Sequence, residues 1–166
     1  MFSDRLRYQP VDHTSLDAFH SLVIDEHVRR YLMDGNVFSR EWSEGRIRES
    51  QELFKRLGIG IWLVHYKSAD ELVGFCGFLE IPSIHADPQL VYAMFEQFSG
   101  KGFATEMAQT AIAQARKQPG YTEIVAGVDE VNVASLRVLE KLGFERFAIM
   151  PGNFGNMFLL RLRDNP

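Results

Sequence analysis

Between an apolar, β-branched run, Leu90 to Met94, and an alanine-rich segment of helical period, the chain places Ser99-Gly100-Lys101-Gly102-Phe103. A strand that passes through a glycine turn straight into a helix aims unpaired backbone N–H groups, and the positive end of the helix, at an anion. Glycine reaches left-handed dihedrals and lets a phosphate approach the backbone, and Lys101 adds charge at the rim. The turn predicts an α/β architecture with a phosphate site at a strand–helix junction.

Two phosphate-binding patterns fail to account for it. A Walker A loop requires G-x-x-x-x-G-K-[ST], and Gly102 is followed by Phe103 with no second Gly-Lys pair. Gly100-Lys101-Gly102-Phe103-Ala104-Thr105 matches two glycines of a dinucleotide fingerprint, and Glu123 lies 21 residues beyond Gly102. That fingerprint belongs at the first βα turn of a long doubly wound sheet, and the chain after it is too short for the remaining βα units.

The rest of the chain supplies a mixed α+β order. Arg5 to Pro10 alternates as a short strand ending at Pro10. Leu16, Phe19, Leu22, Val23 and Val28 continue as a helix, and Ser39 opens a second whose stripe is Trp42, Leu53, Phe54 and Leu57, closed by Gly58. Ile59 to Tyr66 and Leu72 to Ile81 read as a hairpin, followed by the strand Leu90 to Met94. Ala104, Met107, Ala108, Ala111, Ile112 and Ala115 form a helix face suited to a sheet. Glu123 to Val128 is a strand, and Asn132 N-caps a helix ending at Leu142, with Gly143 at C′ and Phe144 as its partner. Glu145 to Met150 and Asn156 to Arg163 close the fold around Pro151-Gly152-Asn153. The expectation is one domain over residues 1–166, a mixed, mostly antiparallel sheet of about seven strands flanked by about four helices.

Composition limits the function classes. With 18 Lys+Arg against 22 Asp+Glu, a net charge of −4 leaves no excess of cations for a phosphate backbone, so nucleic acid is not an expected partner. No apolar run approaches the roughly 20 residues of a transmembrane helix. The single Cys76 cannot form an intramolecular disulfide, and its apolar setting suits an inert core thiol. With no signal peptide in view, a cytoplasmic setting is expected. The five histidines show no metal-ligand spacing, so no metal is expected.

Gln97-Phe98-Ser99-Gly100-Lys101-Gly102-Phe103-Ala104 resembles the Q/R-x-x-G-x-G/A acyl-CoA motif of the GNAT N-acetyltransferases, and Asn132-Val133-Ala134-Ser135 through Val138-Leu139-Glu140-Lys141-Leu142-Gly143-Phe144 resembles that superfamily's second signature. Asp4-Arg5-Leu6-Arg7 and the element order resemble the RimJ/RimL branch. The resemblance implies acetyl-CoA as cosubstrate, an amine-bearing acceptor and direct attack of the amine on the thioester, and it is compatible with a homodimer. It implies that the fourth strand bulges and splays from the fifth, that pantetheine enters there, and that an N–H near Met94 and Phe95 binds the thioester oxygen. Gln97, Gly100, Lys101, Gly102, Phe103, Ala104 and Thr105 then cradle the pyrophosphate, and Asn132 bonds the pantetheine arm.

Many such enzymes carry a tyrosine acid seven residues after the asparagine, a position that is Leu139 here. Ser135 is therefore the candidate for the departing thiolate, with Asn132 beside it, and Glu80, Tyr92 or a water relay for the base. Phe95, Phe98 and Phe154 are candidates for shaping the acceptor side. Two rivals stay open: a non-catalytic acyl-CoA-binding or regulatory module, and a transferase using another donor such as succinyl-CoA.

Overall fold

A computed structural model describes residues 1–163; the last three residues of the expected domain lie outside them. Strands β1 (Leu6–Pro10), β2 (Ile61–Tyr66), β3 (Glu71–Leu79), β4 (Gln89–Met94), β5 (Glu123–Asp129), β6 (Glu145–Gly152) and β7 (Gly155–Arg163) form one sheet in the order β1-β2-β3-β4-β5-β7-β6. Every neighbouring pair is antiparallel except β4 and β5, which run parallel. Between the strands lie α1 (Leu16–Val23), α2 (Glu26–Leu32), α3 (Arg40–Leu57), α4 (Phe103–Ala115) and α5 (Val133–Lys141).

Strand alternation divides the core into two layers. Leu90, Ile124, Ala126 and Val128 join Met107, Ala108 and Ala111 of α4 and Leu136 and Leu139 of α5 on one face. Phe75 and Val91 meet Phe19, Leu22 and Val23 of α1, Val28 of α2 and Ile47 of α3 on the other. Ala108, Ala111 and Ala115 of α4 are fully buried, which brings that helix close to the sheet.

The structure departs from the sequence expectation in three places. The segment read as one helix from Leu16 to Val28 is two, giving five helices rather than about four, because Asp25 is extended at ψ 136 and its carboxylate accepts the Val28 N–H at 3.0 Å. The last hairpin turns at Asn153 and Phe154, since Pro151 and Gly152 still pair with Asn156 and Gly155 in the ladder. The bulge expected near Met94 is absent: β3 and β4 pair without a register shift from Leu79–Gln89 to Gly74–Met94, and the Phe95 N–H still reaches the Val73 carbonyl at 3.0 Å. The expected splay is nonetheless present, because Gln89–Val125 is the one registered pair between β4 and β5. With β3 holding β4 in continuous register, the two parallel strands diverge without an inserted residue.

Candidate active site

The divergence leaves one backbone edge open. Because Phe95 donates to Val73, the two-residue alternation of an antiparallel ladder turns Ala93 and Val91 toward β3 as well. Tyr92 and Met94 then present their N–H and C=O groups to the opposite side, where β5 offers no registered partner. Met94 thus carries a backbone N–H facing the cleft, whereas that of Phe95 is already used by the sheet.

The glycine turn stands at the end of this edge. After the single 3-10 turn Glu96–Phe98, Gly100 and Gly102 take φ of +73° and +79°, the left-handed region that side chains disfavour. Gly102 caps α4 without any side-chain acceptor, so the amides of Phe103, Ala104 and Thr105 point outward from the helix start. Two polar side chains of the motif are engaged by the protein itself. Lys101 Nζ donates to the Gln97 carbonyl at 2.8 Å and lies 5.6 Å from the Phe98 ring centroid, and Gln97 Nε2 donates to Glu71 at 2.9 Å. Phe103 and Phe98 are buried beneath the turn, which removes Phe98 from the acceptor side. Phe95 is half-buried and Phe154 is exposed at the last hairpin.

Across the cleft, Asn132 caps α5 by accepting the Ser135 N–H on Oδ1 at 3.1 Å, which leaves its amide NH2 to donate. Gly143 at φ +88° closes the helix, with its own N–H on Glu140 and that of Phe144 on Leu139. Leu139, where a tyrosine acid was looked for, is fully buried core. A tyrosine comes from the other side instead: the Tyr92 hydroxyl of β4 lies 2.7 Å from Ser135 Oγ. Burial pushes the Tyr92 phenol up to about 12, outweighing the bond to Ser135, so it is a proton donor at neutral pH and not a base.

Two further groups escape sequence reasoning. Asp129, at the end of β5, follows Val125 and Gly127 onto the face opposite to Tyr92 and Ser135. Its Oδ1 is buried with no hydrogen-bond partner, and burial, with Asp34 of the α2–α3 loop second, holds its carboxyl above the usual range. Asn153 donates to Asp34 at 2.6 Å, tying that loop to the β6–β7 hairpin beside it. Arg5, just before β1, reaches the glycine turn itself, donating to the Lys101 carbonyl at 2.8 Å. Glu80, a sequence candidate for the base, is paired with Arg56 at 2.7 Å beyond the β3 end opposite Gln89. That is the wrong end of the cleft by roughly 15 Å of strand. Among the described residues no group of three potential metal ligands occurs.

A parallel pair that splays over an uncapped helix start matches a class of acyl-donor transferases, and comparison places the chain within it. The model of the acetyltransferase (GNAT) domain matches residues 5–145, and the chain belongs to that family. The uncharacterized N-acetyltransferase YjdG of Bacillus subtilis is 29% identical over 150 residues, covering 86% of this chain and 87% of YjdG. RimL, a ribosomal L7/L12 alpha-N-protein acetyltransferase solved with coenzyme A, superposes with a TM-score of 0.80 at 20% identity over 97% of this chain and 95% of that one. Spermidine N-acetyltransferase from Vibrio cholerae, solved with CoA and spermine, gives 0.77 at 16% identity over 97% and 96%. RimL is thus one of several structural neighbours, and the likeness to each is one of fold.

Proposed function

We propose that the chain transfers an acetyl group from acetyl-CoA to a primary amine by direct attack. The observation that carries this is the open β4 edge at Met94, which ends at an uncapped helix start and faces the Tyr92–Ser135 hydroxyl pair. The residues present suit the donor: backbone N–H groups from Gly100 through Thr105 for its pyrophosphate, the Asn132 amide for its pantetheine arm, and Met94 N–H for the thioester oxygen.

The sheet separates the two proton transfers. On the α1–α3 face, the uncommitted Asp129 carboxylate accepts a proton from the acceptor's ammonium, and the freed amine attacks the thioester carbonyl. The developing oxyanion is held by Met94 N–H, and its collapse forms the amide and breaks the C–S bond. On the α4–α5 face the departing sulfur takes a proton from the Tyr92–Ser135 pair, and the amide nitrogen releases its remaining proton to water. A raised carboxyl is suited to the first step and a phenol that stays protonated to the second.

The acceptor is an amine that reaches Asp129 between the α2–α3 loop and the β6–β7 hairpin. RimL and spermidine N-acetyltransferase name two chemical forms of it, a protein N-terminus and a polyamine. Thiol release from acetyl-CoA, run against a panel of peptides with free N-termini, polyamines, amino acids and aminoglycosides, tests the reading. Turnover with a member of the panel supports it; tight CoA binding with every amine ignored indicates a non-catalytic module. A succinylated product by mass spectrometry moves the donor to succinyl-CoA.

A further inference from the structure

The N-terminal Asp4-Arg5-Leu6-Arg7 stretch is not used by the reaction above, yet Arg5 is hydrogen-bonded to the donor turn itself. Its backbone N–H donates to Glu106 Oε1 and its Nε to Glu106 Oε2, both at 2.8 Å, so one residue covers both oxygens of that carboxylate. Nη1 donates to the Lys101 carbonyl in the middle of the glycine turn. The guanidinium carbon lies 4.3 Å from the Phe103 ring centroid, and Nη2 lies 3.5 Å from where a Cβ on Gly102 would stand. Ser3 Oγ adds a bond to Glu106 at 2.6 Å, and the Tyr8 hydroxyl bridges Ser3 and Thr110 at 3.1 Å each.

Glu106 is the reason this arrangement matters. It stands in the first turn of α4, where the same helix end must attract a pyrophosphate. Burial raises its carboxyl, but the bonds from Ser3 and Arg5 outweigh that and hold it below the usual range, so it is ionised. An unpaired carboxylate there repels the anion that the turn is built to receive.

We infer that Arg5 is a positioning residue of the donor site: it cancels Glu106 and pins the Lys101 carbonyl away from the anion, keeping the Gly100–Gly102 turn receptive to a pyrophosphate. The inference rests on the acetyl-CoA reading. The planar guanidinium directs one bond to Glu106 and another to the Lys101 carbonyl, whereas an ammonium on a flexible stem keeps the charge and loses the fork. The segment before β1 thus contributes to the site from nearly 100 residues away in sequence.

The test is the dissociation constant of CoA, measured by calorimetry on the full chain with melting temperatures recorded in parallel. Arg5→Ala weakens CoA by about tenfold, Arg5→Lys falls between it and the wild type, and Arg5→Ala combined with Glu106→Gln recovers most of the loss. Recovery is the deciding readout, since a purely structural clamp gives a double variant no better than Arg5→Ala. Unchanged affinity in Arg5→Ala, or no recovery in the double variant, overturns the inference. If Arg5→Ala does not fold, Arg5→Lys and Glu106→Gln decide it: CoA weakened several-fold by the first and unaffected or tightened by the second supports it, and the reverse overturns it. A wild-type chain that binds no CoA overturns the donor reading itself, and this assignment with it.

Discussion

Tyr92 and Ser135 share one short contact, and the chemistry assigned to it separates catalysis from binding. Tyr92→Phe and Ser135→Ala each lower kcat by ~10- to 100-fold while the KM for acetyl-CoA moves little, as for loss of a proton donor that acts only once the C–S bond breaks. Steady-state thiol release with any accepted amine reads this directly; a change in KM alone assigns the pair to binding. Asp129 gives a prediction of opposite sign for stability and activity. Its carboxyl is raised in the folded chain, so folding binds the proton more tightly than the unfolded chain does. The ionised form therefore costs stability at every pH above the folded value, and the cost disappears below the ordinary carboxylate range. Asp129→Asn raises the melting temperature at pH 7 by ~1–3 °C, loses that advantage in acid, and lowers turnover most at the acidic end of the active range. Parallel melting curves and rate profiles across pH check both halves. Ser135 and Tyr92 were both candidates in the sequence, but nothing local marks their contact, and Asp129 was missed because its setting is made by distant residues: a Cβ on Gly152 would stand 2.8 Å from its Oδ1.

At the scale of elements, the parts of the site built from consecutive residues were readable from the residues themselves, whereas the strand divergence was reached only through the family resemblance, and the bulge expected with it is absent. Asn132, Gly143 and Phe144 delimit α5 by local capping chemistry, and the Gly100–Gly102 turn announces the start of α4 by its residue types alone. The break between α1 and α2 turns on the single Asp25 carboxylate against a continuous apolar stripe, a competition that periodicity does not resolve. Removing that cap by Asp25→Ala costs about 1 kcal/mol, measured by denaturant unfolding, with little effect on CoA. Gly102→Ala behaves differently. A Cβ there meets only the Arg5 guanidinium, at 3.5 Å, so the penalty comes from φ +79° and amounts to ~1–2 kcal/mol. Because that strain is relieved by turning the first amides of α4, CoA binding falls along with stability, which calorimetry on the same variant detects.

At the scale of the whole molecule, one mixed sheet supplies the wedge proposed for the donor. β1 through β4 form one antiparallel ladder and β5 through β7 another, and the two are joined by a parallel pair registered only at Gln89 and Val125. In the proposed reading, a donor seated in the wedge between them has the Tyr92–Ser135 hydroxyls on one face of the sheet and Asp129 on the other. An open wedge leaves β4 unequal on its two edges, which gives a residue-resolved signature. In the free protein the amides of Val91, Ala93 and Phe95, turned toward β3, exchange slowly, while those of Tyr92 and Met94 exchange orders of magnitude faster. Saturating CoA slows Tyr92 and Met94 selectively, since pantetheine supplies the pairing that β5 withholds, and leaves the β3-facing set unchanged. Hydrogen exchange followed by NMR distinguishes this from general tightening, which slows both sets together. Uniform protection along β4 in the free protein is the result that removes the wedge, and with it the proposed route of the donor through the sheet.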